Sequence, residues 1–279
     1  MDENPNTFNF QQFGSDIDAF AIVISAERRA GKSHLATDLI YQICLTKSFE
    51  LCILFSETAA LSCDFGFVPK MFIYDEFNDE VLEKYIELQT SIIKELKNKG
   101  KDKSTYPKLL FIFDDVISDL KVFYSKAINK LFTTGRHLGI SFVFITQYLH
   151  ALSPRQRGNI DLLITFKNAN DLNKKSLIQN FITLQYHKSE IENYISKCTF
   201  EKHRAMIICK YKFQDCETLE DYIYTYKSPP EISQFKLCSK EYWDDNTPHL
   251  LKSNKKHSLD LTQTELTKLT KAERKKRLF

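Results

Sequence analysis

Residues 26–33 read Ala-Glu-Arg-Arg-Ala-Gly-Lys-Ser, and the last three are the residue types that grip a phosphate group. In the pattern G-x-x-x-x-G-K-[ST], a tight turn aims successive backbone N–H groups at phosphate oxygens, and the following helix N-terminus adds its positive end. Lys32 is then placed to reach the β- and γ-phosphates of a nucleotide, and Ser33 to ligate Mg2+. The candidate binding segment is Ala26, Glu27, Arg28, Arg29, Ala30, Gly31, Lys32, Ser33 and His34. Ala26 stands where the first glycine is usual, and alanine is strained at positive φ. Arg28 and Arg29 occupy the loop tip, where they face a nucleotide, a neighbouring subunit or solvent.

A second constellation is the apolar run Leu109–Phe113, which ends abruptly in Asp114 and Asp115. Carboxylates are costly away from water, so a buried strand that finishes on two of them points to chemistry. Asp114 suits a Mg2+ held through water and Asp115 a general base acting on the attacking water. The alternative is an exposed Asp-Asp turn. A third run, Phe142–Ile145, ends in Thr146 and Gln147, and Gln147 beside the acid pair would sense a γ-phosphate or orient the water. Arg136, between a helical segment and this third run, is a candidate for stabilising charge on the phosphoryl oxygens, in its own subunit or another.

Such residues need strand ends and a helix start to hold them. The run 19–24 is short, continuous and apolar, as a strand buried on both faces would be. Leu35, Leu39, Ile40 and Ile43 then recur at helical spacing after Lys32. Further strand-length runs fall at 51–55, 71–74, 109–113, 141–145 and 162–166, separated by helical patterns at 79–97 and 122–131. Beyond residue 167, helical pieces at 171–182 and 189–197 precede strand-like 205–210 and 222–226. Alternating strands and helices predict a mostly parallel sheet covered on both sides. The polar connection 98–108 carries Lys99, Lys101 and Lys103 and follows Lys97; its expected place is the surface, as a solvated connection or as a contact for DNA backbone phosphates.

Of the 279 residues, 43% are hydrophobic and 27% charged, enough for a sizeable core, and no apolar run approaches the length of a membrane span. With a polar, acidic N-terminus the expectation is a soluble, unsecreted protein without membrane contact. The seven cysteines form no CxxC pair and no zinc spacing, so reduced, mostly buried thiols are expected. The net charge of +3 is unevenly spread: residues 252–279 hold nine Lys/Arg against three Asp/Glu. That tail reads equally as a solvated helix or as a contact for nucleic acid or a partner.

Together the phosphate loop ending in AGKS, the strand ending in Asp114-Asp115, and the run TTGRHLGISFVFITQ at 133–147 resemble the additional-strand (ASCE, RecA-like) P-loop NTPases. Within these the chain is most similar to the FtsK–HerA branch, and residues 153–166 resemble the segment after the sensor in poxvirus-type packaging ATPases. The resemblance covers about 18–170. It implies a three-layer α/β sandwich, Walker A and Walker B elements at 26–33 and 109–115, ATP and Mg2+ as cofactors, and hydrolysis coupled to translocation of double-stranded DNA. It also implies a homo-oligomeric ring, an arginine acting across subunits (Arg28, Arg29, Arg136, Arg155 and Arg157 being the candidates), non-sequence-specific grip on DNA, and contact with capsid or portal-vertex proteins. The corresponding location is the viral factory in the host cytoplasm, or the virion. The domain reading is an extension at 1–17, an ATPase core at 18–227, and a C-terminal extension with the basic tail at 228–279. Two other functions share these motifs. A P-loop nucleotide or small-molecule kinase would want an arginine-rich lid, for which Arg155 and Arg157 are the only cluster; a nucleotide-gated assembly module would bind ATP without turnover.

Overall fold

Five apolar runs that end in polar residues lie side by side in the computed structural model, which describes residues 6–59, 65–115, 120–167, 170–182 and 186–243. They are β1 (Ala21–Ser25), β2 (Leu51–Ser56), β4 (Leu109–Asp114), β5 (Ile140–Thr146) and β6 (Leu162–Thr165). With β3 (Ile73–Tyr74), β7 (Ala205–Cys209) and β8 (Ile223–Tyr226) they form one eight-stranded sheet in the order β3-β2-β4-β5-β1-β6-β7-β8. The first six are parallel, and β7 and β8 add an antiparallel edge. Every residue of β1, β2, β4, β5 and β6 is buried, which is why these runs are continuously apolar and do not alternate.

Helices cover both faces. Right-handed crossovers place α2 (Lys32–Cys44) on one face, as the chain moves from β1 out to β2. They place α3 (Asp79–Asn98), α4 (Lys126–Thr134) and α5 (Pro154–Gly158) on the other, as it returns. The packing of α1 (Phe10–Asp16) on α2, of α3 on α4 and of α4 on α5 agrees with this three-layer arrangement. Asn78 caps α3 and Ser125 caps α4 through their side chains, which ends the predicted 122–131 helix at a short 3-10 turn over 120–124. The predicted strand at 71–74 shrinks to two residues, because Lys70–Phe72 forms another such turn. Two further helices, α6 (Asp171–Phe181) and α7 (Lys188–Cys198), connect β6 to β7.

The register of the central strands is set by aromatic rings on one face. Phe55 stacks on Phe113 (centroids 5.4 Å, planes 4° apart), and Phe113 meets Phe144 at 5.2 Å. Phe144 in turn contacts Phe123 and Phe132 from the α4 side. Each such pair adds about 0.5–1.5 kcal/mol beyond area burial. Because successive side chains alternate, a Phe113 directed at the α3–α4 layer turns Asp114 towards the α2 layer, where the phosphate loop opens.

Both flanks of the core segment pack on it. Phe8 donates its N–H to Thr225 O at 2.9 Å, Phe10 meets Tyr226 ring to ring, and Phe13 packs on Phe20. Past β8, Phe235 stacks on Phe67 at 4.5 Å and Leu237 donates to Phe67 O at 2.9 Å. The basic tail at 252–279 and Cys63 lie outside the described residues. Among the described residues no disulfide forms, and burial pushes the thiols of Cys44, Cys198 and Cys238 up to about 12. No described helix is long and apolar enough to cross a membrane.

Candidate active site

The C-terminal ends of the parallel strands carry a row of buried polar side chains: Ser56, Asp114, Thr146, Ser25 and Thr165. Strand register aligns them, with Ser56 beside Asp114 and Ser25 between Thr146 and Thr165. This edge of an open α/β sheet is where ligands bind, since loops and helix N-termini converge there. β5 separates β1 from β4, so a polar strand end stands between the phosphate loop and the acid pair.

In the loop, Ala26 is buried and donates its N–H to Thr146 O at 3.2 Å. The left-handed positions are Arg29 (φ 63°) and Gly31 (φ 98°). The alanine in place of the first glycine is therefore unstrained, and the cost moves to Arg29, about 1–2 kcal/mol for a residue bearing a Cβ. Three contacts from distant segments hold this turn. Glu27 Oε1 accepts from Asn170 N–H at 3.1 Å, Ala30 O lies 3.1 Å from His203 Nδ1, and His34 Nε2 lies 2.8 Å from Pro229 O. Because both carbonyls only accept, these ring nitrogens carry the protons. Gly31, at the N-cap of α2, makes no side-chain cap, which leaves the first-turn N–H groups directed at the site. A Cβ on Gly31 would sit 3.3 Å from His203 Nδ1.

Lys32, only 6% exposed, reaches across to Asp115 with Nζ–Oδ distances of 3.2 and 3.3 Å. Gln147 Nε2 donates to Asp115 Oδ2 at 3.2 Å. Two residues from separate sequence segments thus meet on the carboxylate of a third. Asp115 itself is left-handed (φ 47°), a strained conformation of the sort that concentrates at functional sites, and its N–H donates to Ile145 O. Asp114 is 4% exposed and accepts from Ser56 Oγ at 3.2 Å. Its buried carboxylate, with the Ser33 hydroxyl on the first turn of α2, forms a hard-oxygen donor set that suits Mg2+ bound mostly by phosphate and water. The Ser25 hydroxyl, immediately before the loop, is buried without a hydrogen-bond partner among the described residues.

Arg136 is elsewhere. It precedes β5, at the opposite end of the sheet, where its Nη2 donates to Asn159 O and pairs with Asp161 Oδ1, both at 2.9 Å. Asp161 also accepts from Ala21 N–H at 2.8 Å, at the start of β1. Burial raises the Asp161 carboxyl above its ordinary value, against the lowering effect of Arg136 and of that N–H. The length of β5, about 3.3 Å per residue, puts Arg136 on the order of 20 Å from the acid pair of its own chain. The reading of Arg136 as a group acting on its own chain's phosphoryl oxygens is corrected accordingly. Arg157 donates to Leu152 O, while Arg155, Arg28 and Arg29 are exposed. The lysine-rich connection also lies at the far end, before β4, with Lys99 paired to Glu95.

Ser56, Asn170, Asn173 and His203 escaped the sequence reading. Ser56 carried a signal, since it ends an apolar run as Asp114 does; Asn170 and His203 approach the loop from over a hundred residues away, and Asn173 reaches Gln147 from 26 residues on, beyond β6, none with a local signal.

The family described as Poxvirus A32 protein matches residues 7–224. An uncharacterized protein of Acanthamoeba polyphaga mimivirus is 27% identical over 252 residues, covering 86% of each chain. One of Invertebrate iridescent virus 6 is 26% identical over 242 residues, covering 86% of this chain and 88% of its own. Among solved structures, the genome packaging NTPase B204 of Sulfolobus turreted icosahedral virus 2, in complex with ATP-gammaS, superposes with a TM-score of 0.50 at 18% identity, covering 75% of this chain and 98% of its own. The conjugation coupling protein TcpA of pCW3, with ATPgS, gives 0.54 at 11% identity, covering 76% of this chain and 61% of its own. These structural likenesses extend to the P-loop NTPase fold.

Proposed function

The chain belongs to the poxvirus A32 protein family, and on that premise we propose that it is a viral DNA-packaging ATPase whose residues divide the work as follows. ATP binds with its phosphates in the turn 26–34, and Ser33 and Asp114 are the residues that would hold Mg2+. Water attacks the γ-phosphorus in line with the departing ADP oxygen. Asp115 takes the proton from that water, and Gln147 orients it. Lys32 neutralises charge on the β- and γ-oxygens. Mg2+, when bound there, would supply further charge neutralisation to the phosphates. The observation that carries this reading is the convergence of Lys32 and Gln147 on Asp115, with Asp114 held one residue earlier by Ser56.

The motor reading adds a homo-oligomeric ring gripping double-stranded DNA through backbone phosphates, so that affinity falls with salt and shows no sequence preference. An arginine from a neighbouring copy completes the site; Arg28, Arg29 and Arg155 are exposed for that role, and Arg136 is accessible on its outer half. Capsid or portal-vertex proteins and the viral factory of the host cytoplasm are the corresponding partners and place. Residues 18–227 are the ATPase core in this reading, with 1–17 and 228–279 as its flanks.

The test is ATP turnover against protein concentration, with and without double-stranded DNA, for the wild type, Lys32→Ala and Asp115→Asn. Turnover should rise above a concentration threshold and with DNA. Lys32→Ala should lose activity, and Asp115→Asn should lower kcat at least about 100-fold while still binding ATP, the scale of a general base. A wild type that hydrolyses nothing, or a Lys32→Ala variant that equals it, refutes the reading. Faster transfer to a nucleoside monophosphate than to water would make it a kinase.

A further inference from the structure

We propose that Asn173 is a positioning residue for hydrolysis: from the first turn of α6 it fixes the strand end bearing Gln147, and His150 fixes Asn173 in turn. The inference rests on the ATPase reading above.

Asn173 is 2% exposed, yet it is a polar side chain in a helix whose other buried residues are mostly apolar. Its Nδ2 donates to Gln147 O at 2.8 Å, and its Oδ1 lies 3.1 Å from His150 Nδ1. A carbonyl can only accept, so the amide nitrogen must face Gln147 and the amide oxygen must face the imidazole. His150 Nδ1 therefore carries a proton and donates, in either charge state of the ring. Without His150 the Asn173 amide oxygen loses its donor, and the single bond to Gln147 O is left to hold the amide in place.

Gln147 is the first residue beyond β5, where the ladder no longer holds the backbone. On one side Thr146 Oγ1 accepts from Tyr148 N–H at 3.0 Å; on the other, Asn173 holds the Gln147 carbonyl. With both ties, the peptide that aims the Gln147 side chain at Asp115 cannot rotate. A water-orienting group needs this, since a misplacement of about 1 Å costs on the order of 100-fold in rate. The same helical turn reaches the phosphate loop. Asn170, the N-cap of α6, accepts from Leu172 and Asn173 N–H groups and donates its own N–H to Glu27. One turn of α6 therefore sets the loop that binds phosphate and the strand end that reads it.

A purely structural asparagine would make different predictions. Wild type, Asn173→Ala and His150→Ala are compared in single-turnover hydrolysis, in binding of a fluorescent ATP analogue and in thermal unfolding, each also in a Gln147→Ala background. Asn173→Ala should lower the hydrolysis rate at least about tenfold with analogue Kd within about twofold. In the Gln147→Ala background the further loss should stay under about twofold, because Asn173 acts through Gln147. His150→Ala, which keeps Asn173 and its helix, should lower the rate about threefold or more at unchanged Kd, and decides the matter if Asn173→Ala fails to fold. Wild-type rates in a folded Asn173→Ala, or in His150→Ala, overturn the inference, as does an equal loss with and without Gln147. A wild type without turnover overturns the ATPase reading, and this inference with it; turnover that is indifferent to Asn173 and His150 overturns this inference alone.

Discussion

Replacing Arg136 with alanine tests whether this residue holds the fold or serves its own chain's phosphates. Asp161 is buried and keeps two partners, Arg136 at 2.9 Å and Ala21 N–H at 2.8 Å; together they tie the approach to β5, the start of β1 and the start of β6. Breaking a fully buried pair costs about 3–5 kcal/mol, because a charge is left without its counterion. Arg136 is 47% exposed, so part of its attraction is already screened and Ala21 still serves the carboxylate. The expected loss at neutral pH is therefore about 2 kcal/mol, a midpoint drop of about 4–8 °C for a chain of this size. The pH dependence has a definite sign. Burial already raises the Asp161 carboxyl, and losing Arg136 removes an influence that lowers it, so the variant's carboxyl rises further. The folded variant then binds more protons than its unfolded chain across a wider window, and its stability falls more steeply with rising pH. Urea denaturation followed by circular dichroism at about pH 5 and about pH 7.5 should show a larger deficit at the higher pH, and Arg136→Ala/Asp161→Asn should recover part of it. An unchanged stability with activity abolished, or a deficit independent of pH, would refute this account and return Arg136 to its own active site.

Two smaller predictions follow from the loop and from a buried lysine. Gly31→Ala places a Cβ at φ 98° and 3.3 Å from His203 Nδ1, a strain of about 1–2 kcal/mol that should weaken ATP binding roughly tenfold in titration; wild-type affinity would contradict the geometry. Lys47 donates to Ile17 O and, at 2.8 Å, to Asp18 O, and burial, aided by Lys108, lowers its ammonium to about 8 from 10.5. The unfolded chain then binds more protons between those values, so stability should rise with pH across that window and Lys47→Met should flatten the rise. Denaturation curves at about pH 8 and 10 measure the difference, and equal slopes would dismiss it.

The three motifs were legible because each is local. A phosphate-binding turn followed by helical spacing, and apolar runs stopping on Asp114 or Thr146, are consequences of what a buried parallel strand must be and how it ends. Ala26 was less legible. Its type suggested strain, but strain depends on φ, and the turn places its left-handed residues at Arg29 and Gly31. Arg136 misled for a related reason: adjacency to a strand does not say which end of the strand a side chain serves, and Arg136 precedes β5 while Gln147 follows it.

Sequence by itself therefore determined the fold class, the family, the phosphate loop, the acid pair and Gln147, because period, burial and turn chemistry are encoded within a few residues. Tertiary structure alone decided which of these meet. Lys32, Asp115 and Gln147 converge because β5 inserts between β1 and β4, and Ser56 reaches Asp114 because β2 pairs on its other side. Asn173, His203 and Pro229 reach the loop and the sensor strand through connections of more than a hundred residues or around an intervening helix, where position is set by packing and not by spacing. Arg136 lies at the far end of the sheet because it precedes β5, and packing there brings it against the buried Asp161.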